Sequence, residues 1–282
     1  MWQVAAVKSA AILLFAAVMF CGCAKDEYQP APVSGQLKVH YLDVGKADSI
    51  LIQQGGKNML IDAGNDTDAK TIIAYLKDNG VAKLDVVIAT HPHKDHIGAM
   101  DEVIKTFEIG MIYTSNGQTK TKTYERFINA VEKKELKLAR ALPGLEFNFG
   151  DAKCIILAPN SESYEDLNDY SVVVKLTYGT TKFIFQGDSK EISENEIISK
   201  GYDIAADVIK IGHHGSGTSS TQRYLNMVKP KYAVISTGGD DDPDDSTISR
   251  LQNMGIRIYR TDKDGTIVAV SDGKDISFTA NP

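Results

Sequence analysis

Cysteine is scarce in this 282-residue chain, which contains three. Cys21 and Cys23 stand near the amino terminus, and only Cys154 follows them. The chain beyond residue 23 therefore cannot form an internal disulfide, which excludes the small disulfide-bonded class of secreted domain. The folded part must rest on a hydrophobic core or on bound metal, and the length suffices for one large domain or two small ones.

Long hydrophobic runs are lacking as well. The apolar run Ala10–Phe20 is too short to cross a bilayer comfortably. With Lys8 ahead of it, the run predicts an export signal over residues 1–22. Gly22–Cys23 resembles the lipobox of bacterial lipoproteins, which implies that Cys23 carries a lipid and anchors an exported domain to the cell membrane. A cleaved secretory signal without a lipid is the alternative.

Positive charge is in deficit, with 31 Lys and Arg against 37 Asp and Glu and a net charge of −6. A general nucleic-acid-binding protein usually presents a basic face, so the composition argues against that class, although a local patch could override the average. The fractions of hydrophobic residues, 43%, and charged residues, 24%, are typical of a soluble globular protein.

Strands and helices alternate through the rest of the chain. Residues 23–36 are polar, contain two prolines and predict a flexible tether. From Leu37 onward, short apolar runs predict strands, four of them in succession between residues 145 and 188. Two short strands are expected after the last helix, "TISRLQNMG". Meanders interrupted by strand–helix units predict two sheets with helices outside, of α+β or α/β class, in one domain over residues 37–282.

Three of the six histidines lie in "ATHPHKDHIGAM", residues 89–100, together with an aspartate. In extended backbone His91 and His93 point the same way, because side chains alternate along a strand. Asp95 and His96 follow a bend and can face a second position. Neutral imidazole and carboxylate are the ligands that zinc and its neighbours accept. The segment therefore predicts a loop that feeds two adjacent cations.

Two later strands end in residues of the same kinds. Asp188 closes "FIFQGD", and His213 and His214 follow "DVIKIG". A carboxylate at the end of an apolar strand is costly to bury without a partner, and bridging two cations offsets that cost. Because both clusters follow hydrophobic strands, we expect one composite metal site.

These residues resemble the metallo-β-lactamase superfamily, with an early strand ending in Asp62, then His-x-His-x-Asp-His, a later strand ending in Asp, and a final His. The segments "YLDVGKADSILI", "THPHKDHIGA", "NDYSVVVKLTYG" and "HHGSGTSS" are similar to the hydrolase domain at the C-terminus of ComEC-type competence proteins. The similarity runs from Leu37 to the end of the chain. It implies an αβ/βα four-layer sandwich with a dinuclear hydrolytic site.

The resemblance also implies a role for each residue. The implied ligands are His91 and His93 for the first metal, Asp95, His96 and His214 for the second, and Asp188 as the bridge. Asp95 and Asp188 would thereby be catalytic, and Asp62 would orient a ligand histidine. His213 would line the pocket and act on substrate, although His213 and His214 could be assigned the other way.

The chain departs from the family pattern at three places. No histidine occurs between His96 and His213, so the third histidine of the first metal is missing, and Asn168 or Asp169 stands at about that point. Lys46 and Ala47 replace the Gln and Gly that usually precede Asp48. An acidic run, Asp240 to Asp245, occupies a loop where relatives often carry a histidine.

Residues near the expected metals suggest how substrate binds. Gly215 to Thr218 precede a predicted helix, so their amides, with the hydroxyls of Ser216 and Thr218, predict an anion site. A plain helix cap at Ser219 or Ser220 is the alternative. Lys46 would add a cation, and we expect Asp48 to contact substrate as well. The acidic run predicts a solvated turn in which Asp244 or Asp245 caps the next helix, or else a further cation site.

Two divalent cations, zinc or else manganese, would turn a shared water into an attacking hydroxide. The sequence therefore predicts a monomeric phosphodiesterase or nuclease at the cell surface, acting on nucleic acid or a phosphorylated wall polymer. Acyl hydrolysis of a lactone, thioester or β-lactam is the first alternative, and it would need an apolar pocket. The second is a non-enzymatic surface-binding protein that has lost its first metal.

Overall fold

The computed structural model describes residues 33–238 and 242–281. The predicted signal, Cys23 and most of the tether lie outside these residues. Ser34, at the end of the predicted tether, is bonded to the domain: its amide and hydroxyl donate to Asp151 over 2.8 and 2.7 Å, and its carbonyl accepts from Gln54 and Tyr178. Packing therefore begins before the predicted boundary at Leu37.

Two mixed sheets form the centre of the domain. Within the described residues the first sheet has eight strands, in spatial order β15 (Ile276–Asn281), β14 (Thr266–Ser271), β1 (Leu37–Tyr41), β2 (Ile50–Gln54), β3 (Lys57–Ile61), β4 (Lys83–Ala89), β5 (Glu108–Thr114) and β6 (Leu138–Arg140). The second has seven, in the order β13 (Arg257–Arg260), β12 (Tyr232–Ile235), β11 (Val208–Lys210), β10 (Thr181–Phe185), β9 (Val173–Tyr178), β8 (Ala152–Ala158) and β7 (Glu146–Phe149). β3 to β6 run parallel, as do β10 to β13.

Helices connect the parallel strands and cover the outer faces of the sheets. They are α1 (Ala69–Asp78), α2 (Lys94–Ile97), α3 (Met100–Thr106), α4 (Lys122–Lys133), α5 (Glu191–Ser199), α6 (Gln222–Val228), α7 (Asp245–Asn253) and α8 (Thr261–Asp264). Threonine hydroxyls cap two of them, since Thr121 accepts from the Tyr124 amide and Thr221 from the Tyr224 amide. None of the helices in the described part of the chain is long and apolar enough to span a membrane.

The apolar residues divide into three clusters, which define the layers. Ile50 and Ile52 of β2 pack between the sheets, whereas Leu51 between them faces α1, α3 and α4, as the twofold alternation of a strand requires. A third cluster joins the second sheet to α5, α6 and α7. The order helix, sheet, sheet, helix confirms the predicted four-layer sandwich.

The strand predictions were mostly correct. The four successive strands are confirmed as β7 to β10. The expectation of two strands after the last long helix was wrong, because β13, β14 and β15 all follow α7. In each sheet two parallel neighbours, β3 with β4 and β10 with β11, end at one edge, and the loops beyond those ends carry the predicted ligands.

Candidate metal centre

The first group of predicted ligands leaves β4 in a short loop. The strand ends at Ala89, and His93 occupies the position before α2, which carries Asp95 and His96. Nε2 of His91 lies 3.0 Å from Nδ1 of His93, so the two imidazoles meet as the sequence predicts. Asp95 and His96 face the neighbouring position, because the helical turn rotates them away from the strand direction.

Asp188 stands between the two groups. One of its oxygens, Oδ2, lies 3.2 Å from Nε2 of His96 and 3.8 Å from Nε2 of His91. The other, Oδ1, lies 3.6 Å from Nε2 of His214, which is also 3.3 Å from Asp95. The ligand atoms of Asp95, His96, Asp188 and His214 all lie within 4.8 Å of one another. The structure therefore brings the distant segments together.

Several polar atoms at the centre of this cluster are buried without a hydrogen-bond partner among the described residues. They are Nε2 of His96, Nε2 of His214 and Oδ1 of Asp188. The opposite nitrogens are engaged, because Nδ1 of His96 lies 2.7 Å from Asp62 and Nδ1 of His214 lies 3.0 Å from the carbonyl of Ser236. Unpaired buried polar atoms are rare in native proteins. A divalent cation would satisfy all three, so the donor set fits a metal.

Asp62 follows β3 and orients one of these rings. Its carboxylate is fully buried and accepts from the amide and hydroxyl of Thr90 over 2.8 and 2.7 Å, besides contacting His96. Burial raises the pKa of Asp62. A carboxylate bonded to the outer nitrogen of a histidine fixes the tautomer and the ring orientation, so this position matches the predicted orienting role.

The first metal position has fewer candidate ligands. His91 and His93 lie outside the four-residue cluster, and Nε2 of His91 is 3.8 Å from Asp188. Nδ1 of His91 lies 3.1 Å from the hydroxyl of Thr90 and 3.2 Å from that of Ser171. These two hydroxyls contact Nδ1 of His91, so the opposite nitrogen, Nε2, points toward Asp188.

Asn168 is better placed than Asp169 to supply a further oxygen. Oδ1 of Asn168 is buried and has no hydrogen-bond partner in the described part of the chain. The carboxylate of Asp169 instead accepts from the amide of Lys190 over 3.1 Å, immediately before α5. Asp169 is therefore engaged at the start of that helix.

The charges of the cluster are strongly coupled. Burial, reinforced by the charge of His96, holds the pKa of His91 well below its usual value. Burial also acts on His96, but Asp188 and Asp62 outweigh it and hold the pKa of His96 well above its usual value. Although burial opposes it, the pKa of Asp188 lies well below the usual range because His96 and His214 face its carboxylate. The cluster thus stabilises positive charge at its centre.

The structure distinguishes the adjacent histidines. His214 is 3% exposed and belongs to the cluster. The side chain of His213 is 30% exposed, and its Nε2 lies 3.9 Å from Asp188. Both residues have left-handed backbone, with φ of 50° and 52°, and this turn directs the two rings differently. His214 is therefore the better candidate for the ligand position, and His213 lines the cavity beside it.

The structure contradicts the predicted contact between Asp48 and substrate. Asp48 is 1% exposed, and its Oδ2 lies 2.9 Å from Nζ of the fully buried Lys210. Its other oxygen lies 3.9 Å from Nδ1 of His214, behind the ligand cluster. Sequence reasoning missed Lys210, although a lysine inside the apolar strand "VIKIG" was a signal that a buried acid must lie opposite it.

The predicted anion site is also wrong in its main feature. The amide of Ser216 donates to the carbonyl of His213, that of Gly217 to the carboxylate of Asp244 over 3.0 Å, and that of Thr218 to the Ser216 hydroxyl. α6 begins later, at Gln222, so neither Ser219 nor Ser220 is its cap residue. Among the described residues of the predicted site, Ser216 and Thr218 still border cavities beside His214 and His93.

The acidic run behaves differently from the predicted capped turn. Asp240 and Asp241 lie outside the described residues. Asp244 occupies the position before α7 without a side-chain cap bond, because its carboxylate is used by Gly217. Asp244 is therefore hydrogen-bonded to the turn that follows His214.

Two openings in the described part of the chain lie beside candidate ligands. A groove of about 910 Å³ passes His93; it is lined by His93, Glu165, Asp166, Leu167, Asp169, Lys190, Glu191, Ile192, Gly217 and Thr218. A smaller cavity of about 180 Å³ lies beside His213 and His214 and is lined also by Lys46 and Ser216. Three of the predicted substrate residues, Lys46, Ser216 and Thr218, therefore border openings next to the ligands.

Two known proteins are similar to this chain in sequence. ComE operon protein 3 of Bacillus subtilis is 27% identical over 257 residues, which is 83% of this chain and 33% of the relative. Competence protein ComA of Neisseria gonorrhoeae is 29% identical over 246 residues, 85% of this chain and 33% of the relative. The chain thus spans about a third of the length of these relatives.

The fold is also found among solved structures. The metallo-beta-lactamase fold protein YhfI from Bacillus subtilis superposes with a TM-score of 0.59 at 14% identity, over 84% of this chain and 100% of that one. A family model described as the metallo-beta-lactamase superfamily matches residues 42–239, well over half of the sequence. This chain therefore belongs to the metallo-β-lactamase superfamily.

Proposed function

We propose that the protein is a metal-dependent phosphodiesterase or nuclease. The observation that carries this proposal is the convergence of unpaired buried ligand atoms from His96, Asp188 and His214 on one point, with His91 and His93 beside them. Histidine and aspartate in this mixture suit zinc, and manganese is the second choice.

The chain itself would hold and orient the reacting groups. His91, His93 and Asp188 would hold one metal, and Asp95, His96, Asp188 and His214, whose ligand atoms lie within 4.8 Å of one another, would hold the other. Two bound cations would supply a water acidified to near neutrality and positive charge for a phosphate. The partly exposed His213 lines the cavity beside the cluster, where it can hydrogen-bond a substrate oxygen.

The lining of the openings supports a phosphodiester over an acyl substrate. The cavity beside His213 and His214 is lined mostly by polar and charged side chains, among them Lys46 and Ser216, with Pro243 as an apolar member. A lactone or β-lactam pocket would expose more apolar surface. The relative named a competence protein also supports a nucleic acid as the substrate. Glu165 and Glu191 on the groove wall favour a short segment of nucleic acid over a long polyanion.

The location belongs to the same proposal. We place the domain outside the cytoplasm as a monomer, anchored through a lipid on Cys23 after removal of residues 1–22. Mass spectrometry of the membrane fraction tests this, because Cys23 should carry the adduct and Cys23→Ala should release the protein from the membrane. A wild-type protein that carries no lipid would contradict it.

Hydrolysis by the purified protein tests the activity. With Zn²⁺ or Mn²⁺ supplied, we expect two bound equivalents, hydrolysis of bis(p-nitrophenyl) phosphate, and cleavage of short DNA or RNA, but no turnover of nitrocefin or a lactone. Asp188→Asn serves as the inactive control. Acyl hydrolysis without diester hydrolysis would favour the first alternative, and one bound metal or none without activity would favour a binding protein.

A further inference from the structure

Glu194 is a fully buried carboxylate outside the ligand cluster. It lies on α5 and is 0% exposed. Its Oε1 accepts from the Gln186 side chain over 2.6 Å and from the Ser220 amide over 2.5 Å. Its Oε2 accepts from the amide and the hydroxyl of Thr221 over 3.0 and 2.6 Å. These four hydrogen bonds offset the free-energy cost of burying the carboxylate. All four donors belong to segments that carry candidate ligands.

Gln186 extends this network to the histidine turn. Its Oε1 accepts from the amide of Gly212 over 3.2 Å and from the hydroxyl of Ser220 over 2.7 Å. Gln186 stands two residues before Asp188, and Gly212 directly precedes His213. The Glu194 carboxylate is thus linked by hydrogen bonds to both loops of the second sheet that carry candidate ligands, the one after β10 and the one after β11.

The turn between these anchors is strained. His213, His214 and Ser220 have φ of 50°, 52° and 47°, a left-handed region that is unfavourable for a residue with a side chain. The network bonds Gly212 at one end of the strained segment and Ser220 at the other. Without these bonds the turn would relax, and the ring of His214 would move away from Asp95 and Asp188.

We infer that Glu194 is a positioning residue that sets His214 and Asp188 for the second metal through Gln186 and Ser220. The inference rests on the proposed function, since it concerns the same metal centre. It assigns a role to a carboxylate that contacts none of the candidate ligands directly.

Glu194→Gln tests the inference, because an amide nitrogen would face amide donors on whichever side it lies. Glu196→Gln is the matched control: Glu196 is on the same helix and accepts from Ser161 and Tyr164, away from the histidine turn. We expect Glu194→Gln to weaken the second Co²⁺ equivalent by about 10–100-fold and to change the Co²⁺ absorption spectrum. Glu196→Gln should leave the Co²⁺ affinity and the Co²⁺ spectrum unchanged, even if it lowers the midpoint of unfolding as much as Glu194→Gln does.

Two further variants keep the test decisive if Glu194→Gln does not fold. Ser220→Ala removes only the hydroxyl that links Gly212 to Gln186, and it should weaken the second Co²⁺ several-fold. The exchanged pair Gln186→Glu with Glu194→Gln restores the amide–carboxylate bond and should recover part of the lost affinity.

Equal Co²⁺ affinities and spectra in Ser220→Ala, Glu194→Gln and wild type would overturn the inference, as would equal losses in the Glu196→Gln control. Hydrolysis is measured separately. A wild-type protein that binds two Co²⁺ but cleaves no phosphodiester would refute the proposed function, while the comparison of affinities still decides the role of Glu194.

Discussion

At the scale of single residues, the division of labour between His213 and His214 is the sharpest expectation. His214→Ala should remove one metal equivalent and lower diester hydrolysis by at least about 100-fold, since even residues behind the ligands cost 10–100-fold. His213→Ala should keep both equivalents and lose less activity, because its ring is 3.9 Å from Asp188 and partly exposed. Metal analysis and kinetics of the two variants check this, and the reverse pattern would exchange the roles.

The sequence predicted single residues well where neighbours along the chain share a task. His91, His93, Asp95 and His96 lie within six positions, so their spacing alone indicated a metal loop. Asp48 was misplaced because its partner, Lys210, comes from the other sheet. Glu194 gave no signal, since its donors Ser220 and Thr221 follow it by 26 and 27 residues and a glutamate on a helix normally faces solvent.

At the scale of elements, the cluster depends on how closely α2 packs against the loop after β3. Gly98 follows α2, and its amide donates to the Gly64 carbonyl over 2.8 Å. A Cβ at Gly98 would lie 2.3 Å from backbone atoms of Asn65 and Asp66. Only glycine permits this approach, which also holds His96 against Asp62.

Gly98→Ala should therefore force the two segments apart. We expect a loss of about 1–3 kcal/mol in the free energy of unfolding, the usual cost of overpacking, together with weaker metal binding. Gly80→Ala is the control, because it adds only the strain of a positive φ with nothing within 4 Å, and it should leave metal affinity intact. Urea unfolding and Co²⁺ titration measure both effects, and unchanged affinity in Gly98→Ala would contradict the argument.

Elements were easier to predict than their connections. Short apolar runs identified β7 to β10, because that pattern is local. The helix N-terminus expected after Gly215 was wrong because the chain makes another turn through Ser220 before α6 begins. Hydrogen bonds that its amides donate to the carboxylates of Asp244 and Glu194 stabilise that turn, and both acids lie far from it in sequence.

At the scale of the whole molecule, the ion pair of Asp48 and Lys210 joins the two sheets. Lys210→Met should cost about 3–5 kcal/mol in the free energy of unfolding, because it leaves a buried carboxylate without its partner. Adding Asp48→Asn to Lys210→Met should recover most of that loss, since a pair of uncharged side chains avoids the desolvation of an isolated charge. Denaturant unfolding of the single and double variants checks this, and additive losses would show that the pair is not coupled.

The overall architecture followed from the sequence because motif order and strand pattern agree with one family. Which face of each sheet meets the other depends on contacts between strands far apart in the chain, and no single segment encodes it. The same distance effect explains why the metal loop was predictable and the supports behind it were not.

The position of Asp188 and His214 on one sheet, opposite Asp95 and His96 on the other, has a consequence for assembly. Each half of the polypeptide supplies two of the four clustered ligands, so an ion bound there would link the two sheets. Its contribution grows with free ion concentration, reaching about 2.7 kcal/mol at a hundredfold excess over the dissociation constant. If the protein is exported as proposed, the domain would gain this stability only when it binds the ion outside the cell.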